Sequence, residues 1–127
     1  MVDQSVIRIV RDYLTVLRDR QIPASHAVLF GSYARGDQRE ESDIDILVVS
    51  DVFDEDWPRW NQLLWEATIY TDYRIEPMPV TQEELETDNT SMNILMARRE
   101  GIVIYADDEI PPTRLDASGI LLKTRNS

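Results

Sequence analysis

The chain has 127 residues, a net charge of −11 and no cysteine. That length gives one domain with room for a real core, and the missing cysteines exclude disulfides and thiolate metal sites. So acidic a surface repels phosphate backbones and argues against extended DNA or RNA binding. No apolar run reaches membrane length and the N-terminus lacks a signal-peptide pattern, so the expected address is cytoplasmic, with no membrane contact.

Residues 3–20 read as an amphipathic helix, with Val6, Val10, Tyr13 and Leu17 at helical spacing. Arg8, Arg11, Asp12, Arg18 and Asp19 belong to its wet side, and Pro23 stops it. Residues 26–30 form a first strand, opened by His26, a partly exposed packing residue. Gly31-Ser32 begins a turn into a short helix that Gly36 ends. After a charged loop, residues 43–49 are rich in Ile and Val and read as a second strand. The acidic stretch 51–56 is a loop leading to a helix over 57–70, with Pro58 in its first turn. There Trp57, Trp60, Leu64 and Ala67 make a core stripe, while Trp65 lies off it and suits a protein contact. Residues 73–80 form a third strand, placed at a sheet edge by Pro77 and Pro79. Thr81 caps the next helix with Glu84 three residues on. A further helix spans 90–99, Gly101 ends it, and 102–105 is a last short strand. The body is therefore 1–106, an α/β (α+β) fold with a small mixed sheet of about four strands. Residues 107–127 carry a diproline and the apolar triplet Ile120-Leu121-Leu122, and read as an arm that docks on a second copy or on another protein.

Two features of this layout point to chemistry. Side chains two apart on a strand share a face, so Asp43 and Asp45 project together, roughly 7 Å apart at their Cα atoms. Like charges so close are unfavourable unless solvated or bound to metal. Mg2+ takes oxygen ligands and commonly uses one or two carboxylates plus substrate phosphates. The other feature is the turn ten residues earlier. Gly31 allows positive φ and close approach to the backbone. Ser32 can cap the short helix, whose free amides would face an anion. Arg35 and Arg39 are nearby cations suited to a triphosphate.

Gly31-Ser32-Tyr33-Ala34-Arg35-Gly36, followed by Ser42-Asp43-Ile44-Asp45-Ile46-Leu47-Val48-Val49, resembles the minimal nucleotidyltransferases (MNT proteins) of the DNA polymerase β-like nucleotidyltransferase superfamily. The resemblance is specific over residues 28–49, reaches in layout from about residue 1 to 105, and makes 1–106 the nucleotidyltransferase domain. It implies that Gly31 and Ser32 grip nucleotide phosphates, with Arg35 beside them, and that Asp43 and Asp45 bind two divalent metals, Mg2+ or alternatively Mn2+. A third carboxylate on a later strand would activate the attacking hydroxyl or complete one metal's shell. Glu76 is its candidate, with Asp72 in reserve, although the family pattern more usually shows Asp there and no following proline.

The expected activity is transfer of an NMP, AMP first, from ATP or another NTP to an acceptor hydroxyl. Relatives of this size often pair with a helical HEPN toxin and act as its antitoxin, which implies a HEPN-type protein partner. Two other readings remain: a non-catalytic module that neutralises its partner by contact, and a small-molecule nucleotidyltransferase. A Glu76 standing beside the aspartates favours the enzyme; a Glu76 apart from them favours the binder.

Overall fold

A computed structural model describes residues 2–116. Five strands form one mixed sheet: β1 (His26–Phe30), β2 (Ile44–Val49), β3 (Ile75–Val80), β4 (Ile102–Ile104) and β5 (Thr113–Arg114), in the order β3-β2-β1-β4-β5. All neighbours are antiparallel except β2 and β3, which run parallel. The helices are α1 (Gln4–Asp19), α2 (Ser32–Arg35), α3 (Trp57–Ala67), α4 (Gln82–Thr87) and α5 (Met92–Glu100). No helix among the described residues is long and apolar enough to cross a membrane.

Both faces of the sheet are covered. Ile44, Ile46 and Val48 point into a core built with α1 and α3, as the alternation of β2 predicts. Leu47 and Val49 point the other way, into a second core with Leu85 of α4 and Ile94 and Ala97 of α5. A fully buried Leu, Ile or Val side chain contributes about 1.5–3 kcal/mol, so two dry faces hold β2 firmly. Asp45 lies on the second face, where that core reaches the end of the sheet.

The edge position of β3 explains how a strand tolerates Pro77 and Pro79. Ile44 and Ser50 donate to the carbonyls of Arg74 and Val80, so the even-numbered positions of β3 face β2. The prolines fall between them, where the missing N–H would point away from the sheet. The Pro79 carbonyl on that outer side accepts from the Trp57 indole at 3.1 Å. Elsewhere, Thr81 and Glu84 form the expected reciprocal cap. The acidic loop contains a single 3-10 turn (Asp51–Asp54), and a second (Thr68–Tyr70) finishes the segment expected as continuous helix.

Four expectations are corrected. The sheet has five strands, because Thr113 and Arg114 pair with β4 beyond the diproline. Arg11 is buried, not wet: it is 5% exposed and donates to the carbonyls of Asp107 and Ile110, at 2.8 and 3.0 Å. His26 is buried as well, with Nδ1 2.7 Å from Ser25 Oγ. Ser32 does not cap α2; Gly31 occupies the cap position and Ser32 is the first helical residue. The segment expected as an arm thus begins as part of the body: Arg11 holds its first residues, and Leu115 packs into the second core. The triplet Ile120-Leu121-Leu122, and the pairing with a second copy expected of it, lie outside the described residues.

Candidate active site

The parallel register sets Asp45 directly opposite Glu76. Both side chains therefore leave the sheet on one face, from adjacent strands. Asp43 stands just before β2 and joins them. One carboxylate oxygen from each of Asp43, Asp45 and Glu76 lies within 4.8 Å of the others. Asp72 is elsewhere: its carboxylate accepts from Arg74 Nη2 at 2.8 Å, and this pairing holds it below the usual carboxylate range. Arg74 in turn donates to the Tyr33 hydroxyl at 2.9 Å. The structure brings Glu76 to the aspartates and gives Asp72 a structural ion pair.

Crowding raises the proton affinity of the cluster. Asp45 is pushed up to about 6, mainly by burial and then by the charge of Asp43. Glu76 is pushed up to about 7 by loss of surrounding water, by a hydrogen bond with Asp43 and by the charges of both aspartates. Two like unit charges some 4 Å apart repel by about 1 kcal/mol in water and about 4 kcal/mol near a protein surface, an energy that a divalent cation reverses. Oxygen ligands of Mg2+ sit at about 2.0–2.1 Å from the ion, so two of them on one ion lie about 3–4 Å apart. The donor set is oxygen only, which suits Mg2+ or Mn2+.

The turn meets Asp45. Gly31 has φ +80°, and a Cβ there would lie 2.5 Å from Asp45 Oδ2. Glycine is required twice over, for its backbone angle and for the space the carboxylate fills. The Gly31 amide is not free: it donates to Glu100 Oε2 at 2.7 Å. Arg35 Nη1 donates to the same oxygen at 2.9 Å, and Arg35 Nε to Asp37 at 3.2 Å. These acids hold the Arg35 guanidinium all the more firmly charged. Arg39 is exposed, its backbone amide tied to Ser42 Oγ at 2.7 Å.

Glu100 is a site residue that sequence reasoning missed. It ends α5, its side chain is 14% exposed, and it couples the turn to Arg35. Nothing local to it signals this, because its partners lie 65 and 69 residues earlier. A second omission is a groove against the cluster, lined by Trp57, Asn61 and Trp65 of α3 together with Asp45, Glu76 and Met78.

Comparisons with known proteins identify the family. Residues 10–101 match the family described as nucleotidyltransferase domain. A protein of Methanocaldococcus jannaschii assigned as a protein adenylyltransferase is 46% identical over 56 residues, 44% of this chain and 53% of that one. A second protein from the same organism, with the same assignment, is 80% identical over 25 residues, 20% of this chain and 25% of the other. The chain spans between a quarter and about half the length of these relatives. Among solved structures, one assigned as a nucleotidyltransferase from Sulfolobus solfataricus superposes with a TM-score of 0.51 at 20% identity, over 63% of this chain and 70% of that one. A toxin–antitoxin structure with AMP-PNP gives a TM-score of 0.50 at 23% identity, over 75% and 72%. At such identities the likeness is one of fold. The family match spans well over half of the chain, and it contains the turn, both aspartates, Glu76 and Glu100. By that match, the chain belongs to the nucleotidyltransferase domain family.

Proposed function

We propose that the chain is a metal-dependent nucleotidyltransferase that moves an NMP, AMP first among them, from an NTP to a hydroxyl on a protein acceptor. The observation that carries this reading is the meeting of Asp43, Asp45 and Glu76 within 4.8 Å, beside the Gly31 turn. Asp43 and Asp45 would hold the divalent metal, Mg2+ or Mn2+ and two ions by family resemblance. When bound, the metal would neutralise phosphate charge and stabilise the leaving oxygen.

The remaining roles fall to the chain. Gly31 and Ser32 carry the β- and γ-phosphates. Arg35 turns from Glu100 and Asp37 to the same phosphates, exchanging carboxylate partners for phosphate oxygens. Glu76 accepts the proton of the attacking hydroxyl. Its place beside the two aspartates suits a general base. The bond from the acceptor oxygen to the α-phosphorus forms as the bond to pyrophosphate breaks, and pyrophosphate leaves on the opposite side. A module that neutralised its partner by contact alone would have no use for a third carboxylate beside the aspartates.

The acceptor we infer is a HEPN-type toxin, which makes this chain its antitoxin. The toxin–antitoxin structure with AMP-PNP supports that direction. The test is incubation of the chain with ATP labelled at the α-phosphate, Mg2+ and a HEPN protein. Label should pass to the toxin from the wild-type chain, and not from the Asp43→Asn, Asp45→Asn double variant. Labelling by that variant at the wild-type rate would overturn the reading.

A further inference from the structure

Trp57, expected in the core stripe, stands outside the core with Trp65, and both lie at the cluster. Trp57, Asn61 and Trp65 fall at successive four-residue intervals and so form one stripe of α3. That stripe rises beyond the edge strand β3 and faces Met78 of β3 and Asn93 of α5 across a cavity of about 280 Å3. Asp45 and Glu76 line the same cavity. Trp57 and Trp65 are 41% and 42% exposed, and the indole of Trp57 is fixed by its bond to Pro79. Asn61 makes no hydrogen bond among the described residues, so its amide is free for a ligand.

Strand order decides which reactant this groove takes. The aspartates sit on β2, with the Gly31 turn on the β1 side and Glu76 on the β3 side. In-line displacement needs the attacking oxygen and the departing pyrophosphate on opposite sides of phosphorus. With the phosphates at the turn, the attacker enters from β3, along the groove. The charges agree. Beyond the two carboxylates of the cluster, the lining holds two asparagines and, among the described residues, no cation; a polyphosphate finds no charged partner there, and a chain of net charge −11 steers a basic occupant toward it. Tryptophan faces attract cations as well.

Resting on the function proposed above, we propose that this groove is the acceptor subsite. It takes a protein segment whose hydroxyl residue is flanked by basic side chains. The aromatic walls hold the flanking cation and stem, Asn61 bonds the segment's backbone, and the hydroxyl reaches Glu76.

Synthetic peptides carrying a single tyrosine, serine or threonine between lysines, or between glutamates, test this directly. The lysine-flanked peptides should quench tryptophan emission of the metal-free chain, and the glutamate-flanked ones should not. With Mg2+ and ATP they should also accept label faster, by about tenfold. Trp65→Ala should raise the peptide KM about tenfold and leave the Kd of a non-hydrolysable ATP analogue unchanged. Asn61→Lys, a surface change that keeps the fold, should reverse the preference toward glutamate-flanked peptides. The subsite is overturned by a chain that binds the analogue but treats the two peptide sets alike. It is overturned equally by one that labels a HEPN protein but neither peptide set, or by a Trp65→Ala variant whose loss falls on the analogue, which would make the groove a base site. Failure of the wild-type chain to bind the analogue with Mg2+ at all would instead remove the parent reading, and the groove's role with it.

Discussion

A Cβ on Gly31 would stand 2.5 Å from Asp45 Oδ2. The Gly31 turn and the Asp45 carboxylate are therefore one packed unit, in which the absence of a side chain at one position makes room for the carboxylate at the other. Gly31→Ala must strain the backbone at φ +80° and displace Asp45. The expected cost is about 1–3 kcal/mol, read as a lower denaturation midpoint, together with weakened Mn2+ binding. A variant with wild-type metal affinity would show that Asp45 is not a ligand.

Removing a carboxylate from the cluster should have opposite effects on stability and function. Asp45→Asn abolishes one member of a crowded like-charge group that, among the described residues, has no cationic partner at hydrogen-bond distance. The metal-free protein should become slightly more stable while metal-dependent transfer falls by at least about a hundredfold. Thermal melts without metal and single-turnover assays with it separate the two.

The raised proton affinities carry a definite sign. Asp45 and Glu76 rise from ordinary values of 3.8 and 4.5 to about 6 and about 7. Between those limits the folded chain keeps protons that the unfolded chain has released, so their stabilising contribution is lost as pH rises through 6 and 7. His26 acts the other way over part of the window: burial lowers it to about 4, so its contribution is lost as pH falls below neutrality. Comparison with Glu76→Gln isolates the carboxyl effect, because His26 is common to both. The variant should gain stability relative to wild type from pH 5 to pH 8 without metal, and Mg2+ should reverse that gain. A constant difference across pH would contradict the cluster's crowding.

Glu100 offers a test of the turn. Glu100→Ala leaves the buried Gly31 amide without its acceptor, which costs about 1–3 kcal/mol, whereas Glu100→Gln keeps an acceptor oxygen and gives up only the charge facing Arg35. Denaturation should rank wild type and Glu100→Gln close together, with Glu100→Ala well below. Equal losses in both variants would mean that the ion pair with Arg35, not the amide, sets the contribution.

What could be read in advance follows from range. The Asp43–Asp45 pairing needs only the two-residue period of a strand, and the placing of β3 at an edge needs only Pro77 and Pro79. Glu76 as third carboxylate was reachable through those local rules plus family resemblance. The register that sets Asp45 against Glu76 depends on how two separated strands align, and no local pattern states it. Glu100 is an ordinary helix-end acid until α5 brings it to Gly31. Arg11 reads as solvent-facing because its acceptors, the carbonyls of Asp107 and Ile110, belong to a segment with no periodicity of its own. The Trp57–Asn61–Trp65 stripe was obscured by the stronger core stripe of the same helix, and it becomes a groove only because α3 overhangs the edge strand.

The most direct test of the metal centre is a crystal of the chain grown with Mn2+ and a non-hydrolysable ATP analogue, measured at the manganese absorption edge. The account predicts an anomalous peak within coordination distance of the Asp43 and Asp45 carboxylates and of phosphate oxygens, with the terminal phosphates at Gly31 and Ser32. Analogue bound away from that turn, with no peak at the two aspartates, would contradict it.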